Sequence, residues 1–142
     1  MTFWDASAIV PLLVDEPTSK AIGARRTKDP TMIVSWGTTI ECVSALCRLE
    51  REGALSADGW LAAARRLDGL AASWLEVGPA VTVRDTARRL LRVHPLRSAD
   101  ALQLAAAFEA AEGRPTGTTL LTFDERLRDV ALREGFDVPA IN

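Results

Sequence analysis

Short apolar runs separated by helix-forming segments constrain this chain more than any other feature. Thr2-Phe3-Trp4, Thr31-Met32-Ile33-Val34, Trp74-Leu75-Glu76-Val77 and Thr118-Thr119-Leu120-Leu121-Thr122 each read as a strand, and Asp137 to Ile141 reads as a last short one. No hairpin turn links any two of them. Apolar strands joined through helices specify a parallel sheet covered on both faces, hence an α/β fold. The helical segments carry their own start and stop signals. Asp5 or Ser7 caps Ala6 to Val14, and Thr18 or Ser19 caps a helix through about Arg26. Ser35 caps Trp36 to Arg51, and Ser56 caps a helix to Ala72. Val83 to Val93 follows, and Ser98 caps a run reaching Glu112. Asp124 starts the last helix, with Gly135 as the residue that ends it.

The chain has 142 residues, enough for one domain with a real core, and contains no linker, repeat or low-complexity stretch. No apolar run approaches the roughly 18 residues needed to span a bilayer. Cys42 and Cys47 lie five apart on one helix and point in different directions, so they do not pair. Together with an acidic N-terminal segment unlike a secretory leader, this leads to an expected cytoplasmic location without membrane attachment. The net charge of -2 means that a nucleic acid would have to be held by a local basic patch. Arg25-Arg26, Arg48, Arg51 and Arg97 are the candidates, and the sequence does not rank them. The four Trp residues, Trp4, Trp36, Trp60 and Trp74, read as core or interface anchors rather than base-stacking platforms.

The helix opened by Leu96-Arg97-Ser98-Ala99-Asp100 concentrates the chemistry. At about 100° per residue, Asp100 shares its face with Leu104, Ala107 and Ala111, while Glu109 points away. An acid at a helix start is favoured by the macrodipole whatever else it does. Asp5 and Asp124, however, each follow the C-terminal end of a predicted strand, where open parallel sheets bind ligands. If the first and fourth strands are neighbours, Asp5, Asp100 and Asp124 converge. Crowded carboxylates raise one another's pKa, and a cation relieves that repulsion. Oxygen ligands without His or Cys select Mg²⁺ or Mn²⁺ over zinc. His94 is the single histidine, in a loop before Pro95, so general acid–base chemistry by His is poorly supported. No phosphate-cradling glycine loop is present, which argues against nucleotide hydrolysis and dinucleotide binding.

Asp5-Ala6-Ser7-Ala8 after the first strand, Glu41 in the third helix, Arg97-Ser98-Ala99-Asp100-Ala101, and Leu121-Thr122-Phe123-Asp124-Glu125-Arg126-Leu127 resemble the PIN domain. In a chain of this size they resemble specifically the VapC toxins of bacterial toxin–antitoxin pairs, over nearly the whole length. The resemblance implies a single three-layer α/β/α PIN-like domain over residues 1–142, with a mostly parallel sheet of expected order 3-2-1-4-5. It implies a Mg²⁺- or Mn²⁺-dependent endoribonuclease held inactive by a VapB-type antitoxin, with RNA as substrate. It also implies that Asp5, Glu41, Asp100 and Asp124 form the acidic site, with Ser7 and Thr122 in supporting positions. Only the resemblance selects Glu41. Its helical face holds Ala45, Arg48 and Glu52, which by pattern alone reads as solvated. A two-fold homodimer through the Trp36–Arg51 and Ser56–Ala72 helices is expected. Two other functions stay open: a different metal-dependent phosphohydrolase on the same sheet, and a non-enzymatic module that binds an antitoxin.

Overall fold

The computed structural model describes all 142 residues. Strands β1 (Thr2–Trp4), β2 (Ile33–Ser35), β3 (Leu75–Val77) and β4 (Thr119–Leu121) form one parallel sheet in the order β3-β2-β1-β4. Helices α1 (Ala6–Leu13) and α2 (Ser19–Lys28) link β1 to β2. Helices α3 (Thr38–Arg51) and α4 (Ala57–Ala71) link β2 to β3. Helices α5 (Val81–Val93) and α6 (Ser98–Ala110) link β3 to β4, and α7 (Glu125–Arg133) follows. No helix is long and apolar enough to cross a membrane.

The two-residue period of the strands divides the core in two. Phe3 and Leu120 point into one apolar cluster with α5, α6 and α7, where Leu104, Ala107, Leu127 and Val130 are buried. Trp4, Val34 and Leu121 point the other way, into a second cluster with Ile9, Leu13, Cys42, Leu46 and Leu67 from α1, α3 and α4. The three-layer expectation therefore holds, and so does the face of α6: Leu104, Ala107 and Ala111 are buried and Glu109 is exposed.

The expected fifth strand is reduced to a single bridge between Thr119 and Asp137. Asp137 N–H donates to Thr118 O, and Leu120 N–H donates to Asp137 O. The next donor along that edge would be Pro139, which has no N–H, so the ladder stops there. Two caps also differ. Arg97, not Ser98, occupies the N-cap of α6, without a side-chain cap bond; Ser98 is already helical. Ser35 Oγ accepts from Gly37 N–H in a tight turn, and α3 begins only at Thr38. Ser56 caps α4 through Gly59 N–H, and Gly135 ends α7 at φ +99°, both as expected.

Candidate active site

The chain runs from β1 through β2 to β3 on one side of the sheet, then places β4 on the other side of β1. The strand order reverses between β1 and β4, the point at which open α/β sheets leave a crevice. Trp4 pairs in register with Leu121, so Asp5 and Thr122 emerge level with each other. Asp5 N–H donates to Leu121 O at 3.0 Å, closing the ladder at that level.

Asp5 is buried at 5% exposure, and its Oδ2 accepts three hydrogen bonds: from Ser7 Oγ (2.6 Å), Thr122 Oγ1 (2.9 Å) and Ser7 N–H (3.3 Å). Each hydroxyl spends its one proton on Asp5. Each in turn accepts a backbone N–H, Phe123 to Ser7 Oγ and Asp124 to Thr122 Oγ1. Ser7 and Thr122 thus tie the β4–α7 turn to the acid at the end of β1, across 117 residues of sequence. Burial still outweighs these bonds and pushes the Asp5 carboxyl above its ordinary value.

Glu41 lies in the first turn of α3. Its carboxylate does not sit on a solvated face, as the pattern of Ala45, Arg48 and Glu52 suggested, but faces α6. There the buried Gln103 amide donates from Nε2 to Glu41 Oε1 at 2.7 Å. Burial pushes the Glu41 pKa from 4.5 to about 7; Gln103 pulls it down, and the charges of Asp5 and Asp100 push it up. Asp100, in the first turn of α6, is raised by burial and by the neighbouring Asp124 and Asp5, with Arg97 and Arg126 pulling the other way. Asp124 is the N-cap of α7, its Oδ1 accepting from Leu127 N–H at 2.8 Å. Asp5, Glu41 and Asp124 share one design. One carboxylate oxygen is anchored by the protein, and the other takes none of these bonds.

These four acids line a crevice of about 330 Å³ together with Glu16 and Arg48. A second crevice of about 490 Å³, with no apolar residue in its wall, shares Asp100 and Asp124 and adds Arg97 and Arg126. The only close contacts of a basic side chain with a carboxylate are those of Arg89 and His94 with Glu134, so Arg48, Arg97 and Arg126 have no carboxylate oxygen within 4.0 Å. His94 is held by Glu134 at 2.8 Å and does not line either crevice. Cys42, next to Glu41, is buried, and burial and the nearby acids push its thiol up to about 12, which keeps it neutral.

The PIN-domain family model matches residues 2–132. The chain belongs to the PIN-domain family. No curated protein matches it in sequence. Among solved structures, FitAcB from Neisseria gonorrhoeae is similar at 17% identity and TM-score 0.69, covering 99% of this chain and 97% of that one. PAE2754 from Pyrobaculum aerophilum is similar at 22% identity and TM-score 0.64, covering 96% and 82%. VapC20 from Mycobacterium tuberculosis, described as a Sarcin-Ricin loop cleaving toxin, is similar at 17% identity and TM-score 0.64, covering 91% and 94%. At these identities the likeness establishes a shared fold.

Within this PIN domain the structure brings together all six residues singled out from the sequence: Asp5, Glu41, Asp100 and Asp124 around one crevice, with Ser7 and Thr122 bonded to Asp5. Sequence reasoning missed Glu16 and Gln103. Glu16 precedes Pro17 in a loop, where no periodicity or strand end marks it. Gln103 carried a usable signal: it is the lone polar residue in the run from Ala101 to Phe108, at a position that is 1% exposed.

Proposed function

We propose that this PIN domain is a divalent-cation-dependent endoribonuclease and the toxin of a VapBC-type toxin–antitoxin pair acting in the cytoplasm. The observation that carries the reading is the convergence of Asp5, Glu41, Asp100 and Asp124 at the β1/β4 reversal with no His or Cys side chain among the lining groups. The donor set fits a hard cation. All the groups are oxygens, and three have carboxyl pKa values raised by burial, Glu41 and Asp100 also by the charges of neighbouring acids, which a positive charge would relieve. No three of them stand close enough to hold an ion unaided. A cation would thus rest on one or two carboxylates, Asp5 and Asp100 first, and reach the other acids through water, as Mg²⁺ and Mn²⁺ commonly do. When bound, such an ion lowers the pKa of water and offsets charge developing at phosphorus.

The chain's own residues supply the rest. Ser7 and Thr122 hold Asp5 with Oδ2 occupied, fixing which oxygen is presented. Arg48 on one flank, and Arg97 and Arg126 on the other, are placed to pair with phosphates beside the scissile one. Without those cations an acidic crevice would repel RNA. The same electrostatics suits an antitoxin segment that carries Arg or Lys into the crevice. The description of VapC20 as a Sarcin-Ricin loop cleaving toxin supports this reading through the shared fold. The test is incubation of purified protein with single-stranded and looped RNA and, separately, a phosphomonoester. RNA cleavage that requires Mn²⁺ and stops with EDTA is expected. Phosphomonoester hydrolysis alone would favour the other phosphohydrolase, and no turnover would favour the binding module.

A further inference from the structure

The geometry points to Gln103 as a positioning residue that fixes the carboxylate of Glu41, and through it the cation site between α3 and α6. This rests on the metal-site reading above and extends it to a residue that makes no contact with substrate. Gln103 lies on α6 three residues after Asp100, so one helix carries both an acid of the site and the anchor of another. Its amide reaches across 62 residues of sequence to Glu41 Oε1 at 2.7 Å, and also donates to Thr38 Oγ1 at 3.1 Å. Nε2 has two protons and two acceptors, so its donor capacity is filled.

The other end of the amide is the telling part. Gln103 Oε1 is buried and has no hydrogen-bond partner. A buried acceptor without a partner is destabilising, and an apolar side chain of similar length would avoid it. Turning the amide over would not help, because Oε1 would then face the Glu41 carboxylate. The orientation is therefore dictated by the charge-assisted bond to Glu41. Glu41 has a long, flexible side chain, and this bond ties Oε1, leaving Oε2 as the oxygen to be presented. Asp5 is handled in the same way, with Ser7 and Thr122 in place of Gln103. Partners that orient a ligand in this manner commonly affect metal affinity by about 10–100-fold when removed.

The experiment measures Mn²⁺ affinity by calorimetry, without RNA, for wild type, Gln103→Met, Glu41→Gln and the double variant. Gln103→Met is expected to weaken Mn²⁺ binding by about tenfold or more. Glu41→Gln is expected to weaken it already, and adding Gln103→Met to Glu41→Gln should change little, because the side chain that Gln103 then holds no longer offers the cation a charged oxygen. Wild-type affinity in Gln103→Met, or losses that multiply in the double variant, would overturn the role of Gln103 while leaving the metal site standing. Wild type that binds no Mn²⁺ would overturn the site itself. A measurement on unaltered protein covers the case in which Gln103→Met fails to fold. The side-chain amide signals of Gln103 in a ¹H–¹⁵N spectrum should move on adding Mg²⁺ and stay still in Glu41→Gln. Unmoved wild-type signals at saturating Mg²⁺ would refute the inference.

Discussion

Glu41→Gln should make the metal-free protein more stable at alkaline pH, although it removes a residue of the site. In the fold Glu41 titrates near 7 instead of 4.5, mainly because burial disfavours its charge. Below 4.5 both folded and unfolded chains hold the proton, and the residue contributes no pH dependence. Between 4.5 and about 7 the folded state retains a proton that the unfolded chain has lost, so stability falls as pH rises. Above 7 the penalty is complete. At about 1.4 kcal/mol per tenfold change it is at most about 3.5 kcal/mol. Glu41 is only part-buried, and solvent screening brings this to about 1–2 kcal/mol. Glutamine keeps an oxygen for Gln103 Nε2 to bond and carries no charge. With EDTA present, the melting temperature of Glu41→Gln relative to wild type should therefore rise by roughly 2–8 °C between pH 4.5 and pH 8. Asp5 and Asp100 titrate in both proteins, so the comparison reads Glu41 together with its repulsion of those two acids. Mn²⁺ should reverse the order. A hundredfold excess over its Kd stabilises wild type by about 2.7 kcal/mol, and the variant should gain less. A melting difference that stays flat with pH, or a wild type more stable than the variant at pH 8 in EDTA, would refute the claim that Glu41 is held ionised against burial.

The observed cap of Asp124 and its proposed part in holding a cation separate by substitution. Asp124→Ala should lose the α7 cap to Leu127 N–H and about 0.5–2 kcal/mol in denaturant unfolding, whereas Asp124→Asn should keep the cap and lose only Mn²⁺ binding. Arg97 and Arg126 should contact RNA phosphates. In cleavage-deficient protein, replacing both by Ala should weaken RNA binding and reduce its slope against log salt by about 1.4 in filter-binding assays, taking about 0.7 per phosphate on a single strand. An unchanged slope would remove them from the RNA path. Trp36 and Ile40 expose 62% and 72% of their surface near the start of α3. If they anchor the expected homodimer, Ile40→Asp should shift the sedimentation mass toward the monomer. A wild type that is monomeric at micromolar concentration would end that reading.

What could be read from the sequence followed the strength of each local signal. The strands β1 and β4 alternate Phe3 and Leu120 against Trp4 and Leu121, and both faces are buried, so layers and sheet direction were legible. The last strand was not, because one proline at 139 is enough to end a ladder that apolar residues otherwise favour. Asp5, Asp100 and Asp124 were legible because they stand at strand ends and a helix start, positions that sequence marks. Glu41 was not legible by pattern. What turns it toward the crevice is a buried amide 62 positions away on another helix, and no local periodicity contains that information. The Trp residues divide likewise. Trp4 and Trp74 are core, Trp60 packs against the core from a part-buried position, and Trp36 alone is strongly exposed.

The cleavage rate of Asp100→Asn on RNA at saturating Mn²⁺ tests the central claim most directly. Asp100 makes no side-chain hydrogen bond that its loss would break, and it faces both crevices beside Asp124. As a helix-start acid it would contribute only about 0.3–1 kcal/mol of stability at low salt, with activity nearly intact when it is neutralised. As a cation ligand it is required for the chemistry that the ion supplies. The account predicts that the variant folds, melts in EDTA at or above the wild-type temperature, and cleaves RNA slower by orders of magnitude. Cleavage at the wild-type rate, with an equal Mn²⁺-induced rise in melting temperature, would contradict it.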